Sequence, residues 1–370
     1  MIPANDFGRQ WRETQGDLEQ AFHRVLKSGS YILGEELRTF EVQLAEYWGL
    51  RHAAGVASGL DAIEISLRIL GCRPGDKVLT TPLSAFATTL AILKLGAEPV
   101  FVDTDDFGLV DLNLCRRLLA RRPDIRFFVP VHLYGNSLDL GELRRLREEF
   151  SLSVVEDCAQ AIGASFAGER AGTVGQLAAL SFYPTKNLGA IGDGGAILTN
   201  DARLDSMVRV SRDYGQVSKY NHEVIGYNSR LDELQAALLR YAFLPRLPAW
   251  SARRRAIAER YLATICNPGL RCVGRPAGSD SCWHLFPVLV EGGRKESFLE
   301  YLKANDVVGG EHYPLAIPDQ KALAGVPHEV VGDCAQARRF ARCEVSLPMH
   351  PYLTDAEIQK VVDTCNRWRG

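Results

Sequence analysis

An open, mostly parallel α/β sheet in a large domain, followed by a smaller α+β domain, is the fold class this sequence predicts. Three observations predict it. Short apolar, β-branched runs recur over the first half of the chain, amphipathic segments of helical period separate them, and the texture changes after about Leu244. Strands and helices alternating in this way build a parallel sheet with helices on its faces.

In chain order the predicted strands cover residues 53–57, 77–80, 98–103, 127–132, 153–156, 178–183 and 195–199. Runs such as Phe127-Phe128-Val129-Pro130-Val131 are apolar on both faces, as strands covered on both sides must be. The predicted helices between them cover 61–70, 87–95, 112–120 and 140–150. The segment Pro245-Arg246-Leu247-Pro248-Ala249-Trp250 punctuates the chain, and a charged helical stretch, 251–264, follows. The last hundred or so residues mix a short strand, 283–290, with helices over 295–304 and 355–367. The expected division is a large domain over 1–244 and a small one over 245–370.

At 370 residues the chain exceeds one typical domain, and 46% apolar with 24% charged residues is ordinary globular composition. A formal net charge of −2 offers no basic footprint for nucleic acid. The runs Arg144 to Glu149 and Arg253 to Arg255 read as solvated helix faces. Nine scattered cysteines without a C-x-x-C pair support neither a metal site nor a disulfide framework, and an odd count fits a reducing cytosol. The N-terminus lacks a signal-peptide layout, and no apolar run approaches the roughly 20 residues of a membrane span. The expectation is a cytoplasmic protein.

The most informative segment runs from Ala178 to Gly195. A strand ends at Tyr183-Pro184, and Lys186 follows in a small, glycine-rich turn. A lysine that condenses with an aldehyde must be unprotonated and reachable, which favours a partly desolvated loop beside a sheet edge. Upstream, Ser153-Val154-Val155-Glu156-Asp157 places a carboxylate where a buried strand ends, the end at which open α/β sheets bind ligands. A pyridine cofactor acts as an electron sink when its ring nitrogen stays protonated, and Asp157 could supply that bias. Gln160, three residues on, could reach the ring hydroxyl. The rival reading of Asp157 is a helix N-cap, worth about 1 kcal/mol. In Val56-Ala57-Ser58-Gly59-Leu60-Asp61 a strand enters a helix through a small polar turn. Ser58, Gly59 and Leu60 could cradle a phosphate there, with Ser181 adding a hydroxyl. Neither Gly55 to Gly59 nor Gly189 to Gly195 matches the nucleophile-elbow or dinucleotide spacing.

Taken together, these segments resemble the DegT/DnrJ/EryC1/StrS family of nucleotide-sugar aminotransferases. The likeness spans almost the whole chain. It also rests on Gly29-Ser30-Tyr31-Ile32-Leu33-Gly34, Pro74-Gly75-Asp76-Lys77-Val78, Val131-His132-Leu133-Tyr134-Gly135, Gly226 to Ala237 and Leu347-Pro348-Met349-His350-Pro351. The resemblance implies a type I aminotransferase fold, pyridoxal 5'-phosphate as cofactor and a homodimer with shared active sites. It implies that Lys186 carries the cofactor and moves the proton, that Asp157 partners the ring nitrogen and Gln160 the ring hydroxyl. Ser58, Gly59, Leu60 and Ser181 would bind the phosphate, with Asn228 of the partner subunit. Relatives with histidine in place of the lysine are dehydratases, so Lys186 favours transamination. The family's ring-stacking aromatic aligns with Ala85, which leaves Phe86 as its candidate replacement.

The stretch Lys219-Tyr220-Asn221-His222-Glu223 resembles enzymes that aminate a 3-keto position. The expected reaction therefore moves an amino group from an amino acid, glutamate by expectation, to a dTDP-linked 3-keto-6-deoxyhexose. A UDP-3-keto uronic acid and a 4-keto-6-deoxy sugar are the alternative acceptors. A dehydratase or lyase, or a non-enzymatic regulator, are the alternative classes. Tyr183, Lys219, His284, His312 and Tyr313 are the candidate sugar-pocket residues.

Overall fold

A computed structural model describes all 370 residues. Its main sheet has eight strands, in the order His52–Val56, Gly195–Thr199, Leu177–Ser181, Ser153–Asp157, Ile125–Phe128, Lys77–Thr80, Glu98–Val102 and Glu329–Val331. Gly195–Thr199 runs antiparallel to both neighbours, and the other pairings are parallel. The central strands are apolar on both faces because both faces are covered. Leu177 and Ala179 pack with Ile63 and Ile65 of the helix Gly59–Ile69, whereas Ala178 and Leu180 pack with Phe40 and Trp48. That alternation is the two-residue period of a strand.

Phe40 and Trp48 belong to two N-terminal helices, Phe7–Ser28 and Glu35–Trp48, that lie outside the sequence-predicted set. Their cap signals are nevertheless present. Asp6 accepts the Arg9 N–H at 2.8 Å to open the first, and Gly29 closes it at φ 65°. The second opens on a distant carboxylate: Glu233 accepts the N–H groups of Gly34, Glu36 and Leu37 at 2.7, 2.9 and 3.0 Å.

The predicted break near Pro245 is a helix irregularity rather than a loop. Glu233–Leu238 runs through a π-helical turn, Leu239–Phe243, and a 3-10 turn, Leu244–Arg246, into the helix Leu247–Thr264. Pro245 and Pro248 sit in the first turns of their segments, where the missing N–H is tolerated. Beyond it, Leu270–Cys272, Phe286–Val290 and Glu344–Leu347 form a three-stranded antiparallel sheet. Helices Lys295–Ala304, Ala335–Cys343 and Asp355–Arg367 complete this part. The strand predicted from residue 283 starts at Phe286, because Trp283 adopts φ 48° and the N–H groups of Cys282 and Leu285 bond to Gly135 and Tyr134 instead.

The two ends of the chain cross over. Ile2 bridges to Val307 in the small sheet's region, and Glu329–Val331 returns to the edge of the large sheet. No helix is long and apolar enough to cross a membrane.

Candidate active site

Three strand ends converge on the start of the helix Gly59–Ile69. Ser58 caps that helix by accepting the Asp61 N–H at 3.1 Å, which leaves the N–H groups of Gly59 and Leu60 without a partner in the chain. Two glycines let the strands close around this turn. A Cβ at Gly59 would lie 2.7 Å from the Ser181 Cβ, and one at Gly195 would lie 2.5 Å from the Ser58 carbonyl. The Ser181 hydroxyl, buried at the end of its strand, accepts the Tyr183 N–H at 3.3 Å. Open N–H groups, two hydroxyls and a helix N-terminus form a cradle that fits a phosphate.

Lys186 follows in the turn after Ser181, its backbone N–H held by the Tyr183 carbonyl at 2.8 Å. The side chain is half-buried, and burial of its amine lowers the pKa to about 8 against the opposing pull of the Asp157 carboxylate. Asp157 ends the strand Ser153–Asp157 and is 4% exposed. Burial raises its pKa, opposed by the Ala159 N–H at 3.0 Å, the Thr88 hydroxyl at 2.8 Å and nearby Lys186. Thr88 is itself bonded to Ser84 at 2.9 Å. Neither hydroxyl is in the sequence-predicted set, although Thr88 stands only two residues beyond Phe86.

Gln160 is fixed at both ends of its amide. Its oxygen accepts the Tyr134 N–H at 2.8 Å, and its nitrogen donates to the Tyr313 hydroxyl at 2.9 Å. The Tyr134 hydroxyl donates to the His312 carbonyl. His284 bonds through Nδ1 to the Asn187 side-chain oxygen at 3.2 Å, and the Asn187 amide donates to the Cys282 carbonyl at 3.0 Å. Asn187 thus ties the lysine turn to the loop that carries His284. Burial, then the positive charges of Lys186 and Arg254, hold His284 well below the usual histidine range. Burial and Lys186 lower His312 to about 4, so both rings are neutral at physiological pH.

Lys186, Asp157, Gln160, His284, His312 and Tyr313 are therefore gathered in one place, beside the cradle of Ser58, Gly59, Leu60 and Ser181. The other candidates lie differently. Phe86 opens the helix Phe86–Lys94, half-buried against the core cluster that contains Leu79 and Leu83. Tyr183 is 54% exposed. Lys219 sits in the exposed hairpin Gln216–His222, with its amine 5.2 Å from the Tyr220 ring centre. Asn228 is exposed and accepts a hydrogen bond from Arg230. Its neighbour Ser229 is buried, accepting the Ala57 N–H at 3.0 Å and donating to Asp61 at 2.7 Å, so this block is anchored to the cradle.

Beneath the site lies Glu156, fully buried. It accepts His132 Nε2 at 2.9 Å and the N–H groups of Gly172, Val174 and Gly175 at 2.9, 2.7 and 2.6 Å. Burial alone would raise its pKa, but these donors hold it below the usual carboxylate range. The Leu138 N–H points at His132 Nδ1, at 3.1 Å, so the ring proton sits on Nε2.

An eight-stranded sheet of this order, a buried lysine and carboxylate at its strand ends and a phosphate cradle at a helix start define a pyridoxal-phosphate aminotransferase. Comparison with known proteins agrees. Residues 13–366 match the model of the DegT/DnrJ/EryC1/StrS aminotransferase family, and the chain belongs to that family. It is 41% identical over 370 residues to dTDP-3-amino-3,4,6-trideoxy-alpha-D-glucose transaminase of Streptomyces venezuelae, covering 99% of this chain and 96% of the relative. It is 40% identical over 370 residues to dTDP-3-amino-3,6-dideoxy-alpha-D-galactopyranose transaminase of Aneurinibacillus thermoaerophilus, covering 100% and 99%. Among solved structures, that of S. venezuelae DesV in complex with a ketimine intermediate superposes with a TM-score of 0.94, at 40% identity over 99% of this chain and 98% of the other. The protein is an enzyme of nucleotide-sugar amination, and its family depends on pyridoxal phosphate.

Proposed function

We propose that this enzyme moves the amino group of L-glutamate to C3 of a dTDP-linked 3-keto-6-deoxyhexose. The observation that carries the reading is the buried Lys186 amine beside Asp157, next to a cradle with two open N–H groups. The sugar is supported by the names of two relatives, both transaminases of dTDP-3-amino sugars.

Pyridoxal phosphate, when bound, supplies an aldehyde that takes up the amino group and a protonated ring that withdraws electrons. The chain's own residues do the rest. Ser58, Gly59, Leu60 and Ser181 hold the phosphate, joined by Asn228 of the partner subunit. Asp157 would keep the proton on the ring nitrogen, and Thr88 and the Ala159 N–H favour its ionised form against the effect of burial. Gln160 would meet the ring hydroxyl, and Phe86 would be the candidate to cover a ring face. Lys186 would hold the cofactor, and its amine, when free, would accept and release the proton at the donor carbon. An amine with a pKa of about 8 can both accept and release that proton near neutrality. His284, His312 and Tyr313 would line the sugar pocket beside Lys186.

Two subunits sharing the site fit the exposure of Asn228 and Lys219, which stand on one segment with Tyr220, Val224 and Ile225, 81%, 52% and 85% exposed. Such apolar residues call for cover. Nine unpaired cysteines, seven of them buried, suit a cytoplasmic enzyme.

The test is sequential. Glutamate added to the holoenzyme should bleach the cofactor's visible band and release one equivalent of 2-oxoglutarate per site. The dTDP-3-keto sugar should then restore the band and appear as the 3-amino product. No glutamate response would remove the transaminase reading of the site. Turnover of a 4-keto or UDP-linked uronic substrate in its place would move the acceptor while leaving the chemistry.

A further inference from the structure

His312 stands on the segment that runs beside the strand Glu344–Leu347. Gly310 and Ser346 exchange both backbone hydrogen bonds, at 2.9 and 2.8 Å, and so hold that segment in register. Behind His312 lies Glu344, 1% exposed, a carboxylate with no part in the chemistry described so far. One of its oxygens accepts the His312 backbone N–H at 2.6 Å, and the other is 2.5 Å from the Ser346 hydroxyl. Ser346 Oγ is in turn 2.9 Å from His312 Nδ1. The three groups form a line from a buried carboxylate to a ring that faces Lys186.

The proton positions on this line are interdependent. An ionised carboxylate only accepts, so Ser346 must donate to Glu344. The Ser346 oxygen is then free to accept from His312 Nδ1–H, and Nε2 is left with its lone pair. Nε2 has no partner in the chain and is not sealed from solvent. Were Glu344 to bear a proton, every bond could reverse: Glu344 would donate to Ser346, Ser346 to Nδ1, and the ring proton would move to Nε2. Which nitrogen carries the proton is thus fixed by what its other nitrogen meets.

We propose that Glu344 and Ser346 are positioning residues that set the tautomer of His312, so that Nε2 presents a lone pair to a sugar hydroxyl in the pocket beside Lys186. The proposal rests on the reading of His312 as a wall of the sugar pocket. The surroundings of the line are mixed in charge. Lys295, from the helix Lys295–Ala304, faces Glu344 and is paired with Glu311 at 2.7 Å, while the Tyr134 and Tyr313 hydroxyls approach from the large sheet's side. Lys186, His284 and Glu311 face His312. Burial raises Glu344 to about 7, opposed by Ser346, the His312 N–H and Lys295, so the carboxylate form needs this cage of donors.

The tautomer can be read directly in ¹⁵N-histidine-labelled holoenzyme, with the His312 signals assigned by their loss in His312→Gln. In the wild-type protein at mildly alkaline pH, Nδ1 should carry the proton and Nε2 should show a bare-nitrogen shift. Glu344→Gln, whose amide can donate to Ser346, should move the proton to Nε2. Ser346→Ala should abolish the preference and Ser346→Thr should restore it. Both disruptive variants should raise KM for the keto sugar about tenfold while the glutamate half-reaction keeps its rate. A wild-type ring protonated on Nε2, or a tautomer unmoved in both Glu344→Gln and Ser346→Ala, would overturn the proposal. A tautomer that shifts as expected with an unchanged sugar KM would overturn the sugar contact, and with it the reading of His312 as pocket wall.

Discussion

Replacing Lys186 with methionine should make the cofactor-free protein more stable at neutral pH, not less. The folded pKa of about 8 lies below the model lysine value of 10.5, so charging the amine is harder in the fold than in the unfolded chain. Below pH 8 both states are protonated and the penalty is complete. It shrinks as pH rises from about 8 to 10.5, where the folded amine is already neutral. A gap of 10.5 − 8 = 2.5 units at about 1.36 kcal/mol each gives roughly 3 kcal/mol. Residual water contact of a half-buried side chain trims this to about 2–3 kcal/mol. Methionine keeps the unbranched length, drops the charge and fills similar volume. Denaturant melts of cofactor-free wild-type and Lys186→Met at pH 7 and pH 10 read the effect. The variant should be more stable at pH 7 and the difference should largely vanish at pH 10. A variant less stable at pH 7, or a difference independent of pH, would refute the argument that the active amine is held at a cost in stability.

Three further outcomes follow from the site. Thr88→Val removes the hydroxyl 2.8 Å from Asp157, a hydrogen bond to a charged group worth about 1.5–3 kcal/mol, so kcat/KM should fall roughly 10- to 150-fold with the fold intact by circular dichroism. Gly59→Ala places a methyl 2.7 Å from the Ser181 Cβ and should spread the phosphate cradle, seen as cofactor lost on dialysis and a destabilisation of about 1–3 kcal/mol. Glu156→Gln turns an amide toward N–H donors and should cost about 3–5 kcal/mol, measured in urea at pH 7. Because Glu156 is held below its usual pKa, its contribution is present above the unfolded carboxylate range and fades as pH falls through the folded value. The gap between wild type and Glu156→Gln should therefore narrow in acid.

What the sequence revealed tracks how local each signal is. The strands Lys77–Thr80 and Gly195–Thr199 were legible to the residue, because strands buried on both faces are short, largely apolar runs between turn residues. Lys186 and Asp157 drew notice because one stands in the turn after a strand and the other at a strand's end. The helix Phe7–Ser28 was not, since only Thr14, Leu18, Ala21 and Val25 of its 22 residues are buried, while Phe7, Trp11, Phe22 and Leu26 stand exposed and blur the apolar stripe. Asp6 and Gly29 marked its ends all the same. Tyr134, Asn187 and Glu344 escaped because their roles arise from partners 26 to 178 residues away in sequence, as in the Tyr134 bonds to Gln160 and His312. The return of Glu329–Val331 to the large sheet has no local signature, for three β-branched or acidic residues fit any edge.

That late strand sets a timetable for synthesis. Glu329 pairs with Val100, 229 residues upstream. A ribosome adding about 5–20 residues per second needs roughly 10–50 s to cover that distance. Throughout that interval Glu98–Val102, the strand next to the last in the finished sheet, presents a bare row of backbone donors and acceptors along one side. A nascent chain carrying Val100, Phe101 and Val102 at such an edge can add a strand from a neighbouring polysome as readily as its own. A chain cut short before residue 329 never loses that hazard, so premature termination or clipping that removes more than the last forty or so residues should yield aggregates rather than a smaller working enzyme.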